Sequence, residues 1–245
     1  MRFKWLSEWW QGMLLTLAIC IVSIWLAHTG KLTLYIHPRY VLFTVGICSL
    51  AIVCMIWGVA RTRHSVKLFG RVRALGLAMG VVCLLLVAGM LLVRPAVLTS
   101  TAASQRGFNT SALDIVDESS PIFDVNASYE QFTIKEWASL LAQSTDSALF
   151  VGKTANITGF VSPTDDNNPD VFYASRFIIT CCAVDARPVG VPVHVPNWRN
   201  TYKPGQWVTV SGNFIAVAQR TDAPLIAVQP GSIQKVVEPE DPYAW

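Results

Sequence analysis

The segment Cys181-Cys182-Ala183-Val184-Asp185 sets two thiols and a carboxylate within five residues, and it is the most distinctive chemistry in the second half of the chain. Thiolates, carboxylates and imidazoles are the ligands that zinc and related divalent metals take, so a site on Cys181, Cys182, Asp185 and a distant histidine, His194, is one reading. Neither C-x-x-C nor H-x-x-x-H spacing supports it. A period-two pattern places the two cysteines at the end of a strand, where adjacent side chains point to opposite faces. One thiol is then expected to enter the core and the other to face out. A disulfide between such neighbours would be strained and easily reduced. Simple packing, metal binding and thiol redox chemistry therefore all stay open. A divalent metal is the one cofactor these residues point to.

Other candidate motifs carry less. Asp165, Asp166, Asn167, Asn168 and Asp170 make an oxygen-rich loop, but the spacing is not that of an EF-hand and no bidentate Glu follows, so a solvated turn is expected. Gly152-Lys153-Thr154 resembles the end of a phosphate-binding loop, yet Ser147 stands where the first glycine is required. His194 is the single histidine after residue 95, and no Ser-His-Asp set can be assembled around it. A non-enzymatic protein is expected. The triplets at Asn109, Asn126 and Asn156 would accept glycans only in a eukaryotic secretory pathway.

The elements that must hold the cysteine pair can be read from period and turn chemistry. Thr133-Ile134-Lys135-Glu136 has the form of a capping box, and Ile134, Trp137, Leu140 and Leu141 follow at helical spacing to about Ser144. After it, strands are expected near 154–162, 171–182, 189–195, 207–218 and 225–228, with a last one at 233–237. Asp165–Pro169, Arg187-Pro188, Lys203-Pro204-Gly205 and Gln229-Pro230-Gly231 supply the turns between them. Five or six short strands in so short a stretch predict a small closed all-β barrel of the OB type, which leaves no open edges.

The first part of the chain is a different object. Over 245 residues, 52% are hydrophobic and only 14% charged, with a mean hydropathy of +0.41. An ordinary soluble domain carries roughly 25% charged residues, and a disordered chain more. Residues 1–95 hold ten Lys or Arg and a single acid, Glu8; residues 96–245 hold nine basic and fifteen acidic residues. Charge-free apolar stretches run over about 12–29, 40–60 and 74–93. A bilayer core of roughly 30 Å needs about 20 helical residues, so three transmembrane helices are expected. Arg2 and Lys4 precede the first stretch, but no small-residue cleavage pattern follows it, so a retained span rather than a signal peptide is expected. The cysteines in these stretches, Cys20, Cys48, Cys54 and Cys83, read most simply as small apolar residues. Arg61, Arg63, Lys67, Arg71 and Arg73 join Arg2 and Lys4 on one side, so the N-terminus and second loop are expected in the cytoplasm, with the rest after Arg94 outside. An acidic domain on that side is expected to bind no nucleic acid. The expected architecture is an α+β membrane protein. It has a transmembrane region over 1–95, a linker over 96–132 and an extracytoplasmic OB-like domain with one preceding helix over 133–245.

Four blocks, taken together, resemble a known family. They are Gly30–Tyr40, Ala103–Asn109, the run Arg176-Phe177-Ile178-Ile179-Thr180-Cys181-Cys182-Ala183-Val184-Asp185, and Pro239–Tyr243. The chain is similar to the YcgQ-like family of bacterial permease subunits with a DUF1980-type C-terminal domain. The resemblance implies a multi-pass protein of the bacterial cell membrane with an OB-like outer domain and a multi-span permease as partner. The outer domain would gate or present a solute, including a metal ion. Some members carry a His-rich segment between the second and third spans. Only His64 stands there in this chain, so metal handling at that loop is not carried over.

Overall fold

The computed structural model describes residues 2–62, 100–104, 131–144, 146–163, 169–218 and 224–245, with isolated positions between 81 and 98. Two compact units emerge, Met1–Ala96 and Val97–Trp245.

In the first unit, helix α1 spans Arg2–His28 and helix α2 spans Val41–Thr62. Two short 3-10 turns, Lys31–Leu34 and Pro38–Tyr40, join them. Gly30 enters the first of these at φ 71, a left-handed conformation that glycine adopts without strain. His37 Nδ1 accepts from the Arg39 backbone N–H at 3.2 Å and caps the second. Leu42, Leu50 and Trp57 of α2 lie 84%, 63% and 63% exposed, which places large apolar side chains outward rather than in a protein core.

The expectation of three spans needs correction. Among the described residues one helix, Pro38–Ala60, is long and apolar enough to cross a membrane, with a mean hydropathy of 2.3. The apolar part of α1, Gly12–His28, stops at 17 residues. At 1.5 Å per residue that is about 25 Å, short of the roughly 30 Å core, and Arg2, Lys4 and Glu8 interrupt the remainder of the helix. The third stretch, 74–93, lies outside the described residues apart from isolated helical positions.

In the second unit, the short helix α3 (Ser100–Ser104) contacts strand β1, and Ala103 is fully buried. Helix α4 (Ile134–Gln143) starts as its sequence predicts. The Thr133 backbone N–H donates to Glu136 Oε2 at 2.6 Å, and the Glu136 N–H donates back to Thr133 Oγ1 at 3.4 Å. Its apolar face, Ile134, Trp137, Ala138 and Leu140, is buried against the sheet.

The strands are β1 (Thr154–Pro163), β2 (Val171–Ile178), β3 (Arg187–His194), β4 (Trp207–Val217), β5 (Leu225–Lys235) and β6 (Tyr243–Ala244). They form a six-stranded sheet in the order β1-β4-β5-β3-β2-β6, with a further β1–β2 pairing. This corrects the expected closed all-β barrel of the OB type: the sheet is mixed. The β2–β6 and β3–β5 pairings are parallel, and β3 meets β5 at a single register pair, Val193↔Val228. With only that one pair between β3 and β5, the sheet does not form a clear barrel.

Two strand ends also differ from the sequence reading. Gln229-Pro230-Gly231 was expected to turn, but β5 runs straight through it. The ladder absorbs the proline by a register shift at Ser211/Gly212 on β4. Gly212 is required there, since a Cβ would overlap the Gln229 backbone oxygen. Strand β2 ends at Ile178, four residues earlier than expected, and frees residues 179–186 to form the connection to β3.

The core gathers Trp137, Phe150, Ile157, Val161, Phe172, Val191, Trp198, Val208 and Phe214. A second apolar group stacks Phe160 on Phe177 and sets Trp207 edge-on to Phe160. Arg176 fixes the C-terminal strand beside it. Its Nε donates to the Thr158 carbonyl at 2.8 Å and its Nη1 to the Tyr243 carbonyl at 3.4 Å. Burial pushes the Arg176 guanidinium pKa down, and the nearby Asp241 carboxylate opposes that shift.

Candidate metal centre

The β2–β3 connection brings Cys181, Cys182 and Asp185 together. Their ligand atoms all lie within 4.8 Å of one another. The two sulfurs are 3.5 Å apart and both thiols are free. The expectation that one thiol would enter the core while the other faced out rested on a strand reaching Cys182. With β2 ended at Ile178, both cysteines sit on a turn, and Cys181 is exposed while Cys182 is half-buried.

Asp185 organises the turn. Its Oδ2 accepts from the Cys181 backbone N–H at 2.7 Å. Its Oδ1 accepts from the backbone N–H groups of Thr180 and Cys182 at 3.2 and 3.3 Å. The Asp185 N–H closes the loop on the Cys182 carbonyl at 3.0 Å. Partial burial pushes the Asp185 carboxyl up, but hydrogen bonds from the Cys181 thiol and from these three N–H groups outweigh it and hold the pKa below the ordinary value. The same thiol–carboxylate bond acts oppositely on the sulfur. Donation to Asp185, then the bond to Cys182 and the adjacent negative charge, push the Cys181 thiol up to about 12.

The proton thus stays on the Cys181 sulfur beside an ionised carboxylate, and the three ligand atoms lie close enough for one cation to take its place. Around a tetrahedral zinc with Zn–S near 2.3 Å, two thiolate sulfurs stand about 3.8 Å apart. The observed 3.5 Å separation needs little adjustment. Two sulfurs and one carboxylate oxygen leave a fourth position for water or a solute, as in open zinc sites.

His194 does not join them. It ends β3 opposite Val171, whereas the cysteine loop follows the other end of the hairpin, beyond the Ile178↔Arg187 pair. Seven strand residues separate the two ends, about 23 Å. His194 Nδ1 meets Gln229 Oε1 of β5 at 3.3 Å instead. Of the oxygen-rich loop, residues 165–168 lie outside the described residues. Asp170 serves the fold: its Oδ1 accepts from the Asn197 N–H at 2.8 Å and its carbonyl from the Val195 N–H at 2.7 Å. Sequence spacing did not reveal the backbone hydrogen bonds that make Asp185 the centre of the loop. An aspartate three residues after a cysteine, just past a strand end, is the signal that was available.

Comparison with known proteins gives one assignment. Residues 124–245 match the family model of the DUF1980 C-terminal domain. No curated protein and no solved structure matches the chain. The match covers α4, all six strands and the cysteine loop, and residues 124–245 are therefore a DUF1980-type C-terminal domain.

Proposed function

We propose that this is a membrane-anchored, non-enzymatic accessory protein whose C-terminal domain lies outside the cytoplasm and holds a divalent metal ion on Cys181, Cys182 and Asp185. The observation that carries the reading is the convergence of two sulfurs and a carboxylate within 4.8 Å on an exposed turn. Binding breaks the S–H bonds of Cys181 and Cys182 and releases both protons to solvent, and the open fourth position exchanges the ion with a partner. The partner is a multi-span permease of the same membrane, in keeping with the YcgQ-like resemblance. The outer domain presents the ion or gates access to that permease. Support for the anchor comes from Pro38–Ala60 and from the basic excess that precedes the domain.

A thiol-redox role for the pair is less well supported. Reactive thiols have depressed pKa values, next to cations or helix N-termini. Cys181 has a carboxylate as its neighbour and is pushed up.

Two measurements on the full chain in mild detergent test the proposal. Metal content is expected near one equivalent per chain and to fall to background in Cys182→Ser. Affinity capture from native membranes is expected to recover a multi-span protein. Equal, negligible metal in both chains removes the metal site, and capture without such a protein removes the permease partner.

A further inference from the structure

Helices α1 and α2 form a hairpin that is closed towards its connecting turns and splayed at the other end. On the closed side, Cys20, Val22 and Cys48 are buried. Further along, Met13, Leu14 and Leu17 of α1 and Ile52, Met55 and Ile56 of α2 line one apolar groove of about 500 Å³. Helical spacing explains the shared lining, since 52, 55, 56 and 59 fall on one face of α2 and 13, 14 and 17 on one face of α1. The groove reaches Ala60, two residues before α2 ends at Thr62. Its mouth is therefore at the end where α1 begins and α2 stops.

Size and charge together select the occupant. From Ile52 to Ala60 the groove follows α2 for about 12 Å, which gives a mean cross-section of about 40 Å². A helix of roughly 10 Å diameter needs about 80 Å², so hydrocarbon chains fit where another helix does not. Every lining side chain is apolar, so a polar solute finds no hydrogen-bonding side chain inside. Beyond the mouth, Arg2 and Lys4 stand on α1 and Arg61 on α2, against a single acid, Glu8. Position 2 is eleven residues from Met13, three helical turns, and so returns to the groove side of α1. The α2 spacing next falls on position 63, also an arginine, and the sequence adds Lys67, Arg71 and Arg73 after it. Basic residues beside an interhelical groove at one membrane face recognise anionic headgroups, each worth roughly fivefold in affinity near the surface.

We propose that the splayed end of this hairpin binds one anionic phospholipid, its acyl chains in the groove and its phosphate facing the basic positions Arg2, Lys4 and Arg61. The lipid fills the space between the helices and holds the short apolar part of α1, Gly12–His28, beside the longer Pro38–Ala60. This site belongs to the first unit and does not depend on a metal at the cysteine loop.

The test uses the full chain, stripped of lipid in mild detergent and examined by native mass spectrometry. Dioleoyl phosphatidylglycerol or dioleoyl phosphatidylcholine is added back, so that only the headgroup differs. The parent is expected to retain one phosphatidylglycerol at least about fivefold more tightly than phosphatidylcholine. Leu17→Trp and Ile52→Trp fill the groove and are each expected to weaken retention of phosphatidylglycerol at least about tenfold. Leu50→Trp, at a side chain 63% exposed and outside the groove, is expected to change nothing. Lys4→Glu/Arg61→Glu leaves the groove intact and is expected to abolish the preference for phosphatidylglycerol. Helical circular dichroism shows that each variant folds. A parent that retains neither lipid, or both equally, overturns the proposal; the first result is the one expected if another helix covers the groove. Parent-like retention in folded Leu17→Trp and Ile52→Trp chains overturns it as well.

Discussion

Asp185 and Cys181 shift in opposite directions, and that fixes how pH acts on the loop. The Asp185 carboxyl has a lowered folded pKa, so its stabilising effect is present above the unfolded value of about 3.9 and is lost as pH falls through the folded one. Cys181 has a raised folded pKa, so its contribution is full below the ordinary thiol value of 9.0 and is lost as pH rises toward about 12. A metal that must displace the thiol proton binds more tightly as pH rises. Zinc affinity is expected to climb about tenfold per pH unit for each proton released, measured by competition with a chromogenic chelator between pH 6 and 8. A flat profile would show that the thiols are not ligands. Asp185→Asn keeps one acceptor oxygen for the backbone N–H groups but sets an NH2 where the other oxygen accepts, and it removes the charge. It is expected to weaken zinc binding and to lower stability by about 1 kcal/mol in urea unfolding. At this scale the sequence showed the ligand types but not their convergence. Cys181, Cys182 and Asp185 were visible as a run. Their meeting depends on β2 stopping at Ile178, and His194 was drawn in only because its place at the far end of the hairpin was not visible.

Helix α4 and the antiparallel strands were legible because each obeys one local rule. Thr133 and Glu136 announce the helix start, and alternation marks β1, β3 and β4. Thr133→Ala is expected to cost about 1 kcal/mol by removing the cap, read from urea unfolding of the full chain in detergent by tryptophan fluorescence. Where two rules compete, the sequence reading failed. Pro230-Gly231 has turn composition, but β4 and β5 pair on both sides of it, and a register shift accommodates the proline. Strand β6 is two residues long and owes its place to β2 and to Arg176, which no local period announces. Close backbone contacts are equally invisible in the sequence. A Cβ at Gly159 would stand 2.6 Å from the Ser175 carbonyl oxygen and 2.7 Å from its nitrogen. Gly159→Ala is therefore expected to destabilise the domain by about 2 kcal/mol, more than an alanine at an open strand position, because backbone rather than a side chain must move. An unchanged unfolding midpoint would mean that β1 and β2 are not so closely apposed.

For the whole molecule, composition separates a basic, apolar part from an acidic one, and the structure divides the chain at Ala96/Val97. Composition overstated the spans, because an apolar run and a helix long enough to cross a membrane are different quantities: Gly12–His28 is the first without being the second. The charge split remains the physical basis for orientation. A phosphatase reporter fused after Trp245 is expected to be active, since the domain lies outside in the proposed topology; activity only of a cytosolic reporter at that position would reverse it. The account stands or falls on the loop at 181–185 as a metal centre in the intact protein. Cobalt(II) titration of the full chain in lipid nanodiscs tests that most directly. The parent is expected to develop the intense thiolate charge-transfer absorption of a sulfur-ligated tetrahedral ion at one equivalent, with zinc displacing it, and Cys181→Ser/Cys182→Ser is expected to lack it. A parent spectrum identical to that of the double variant would contradict the account.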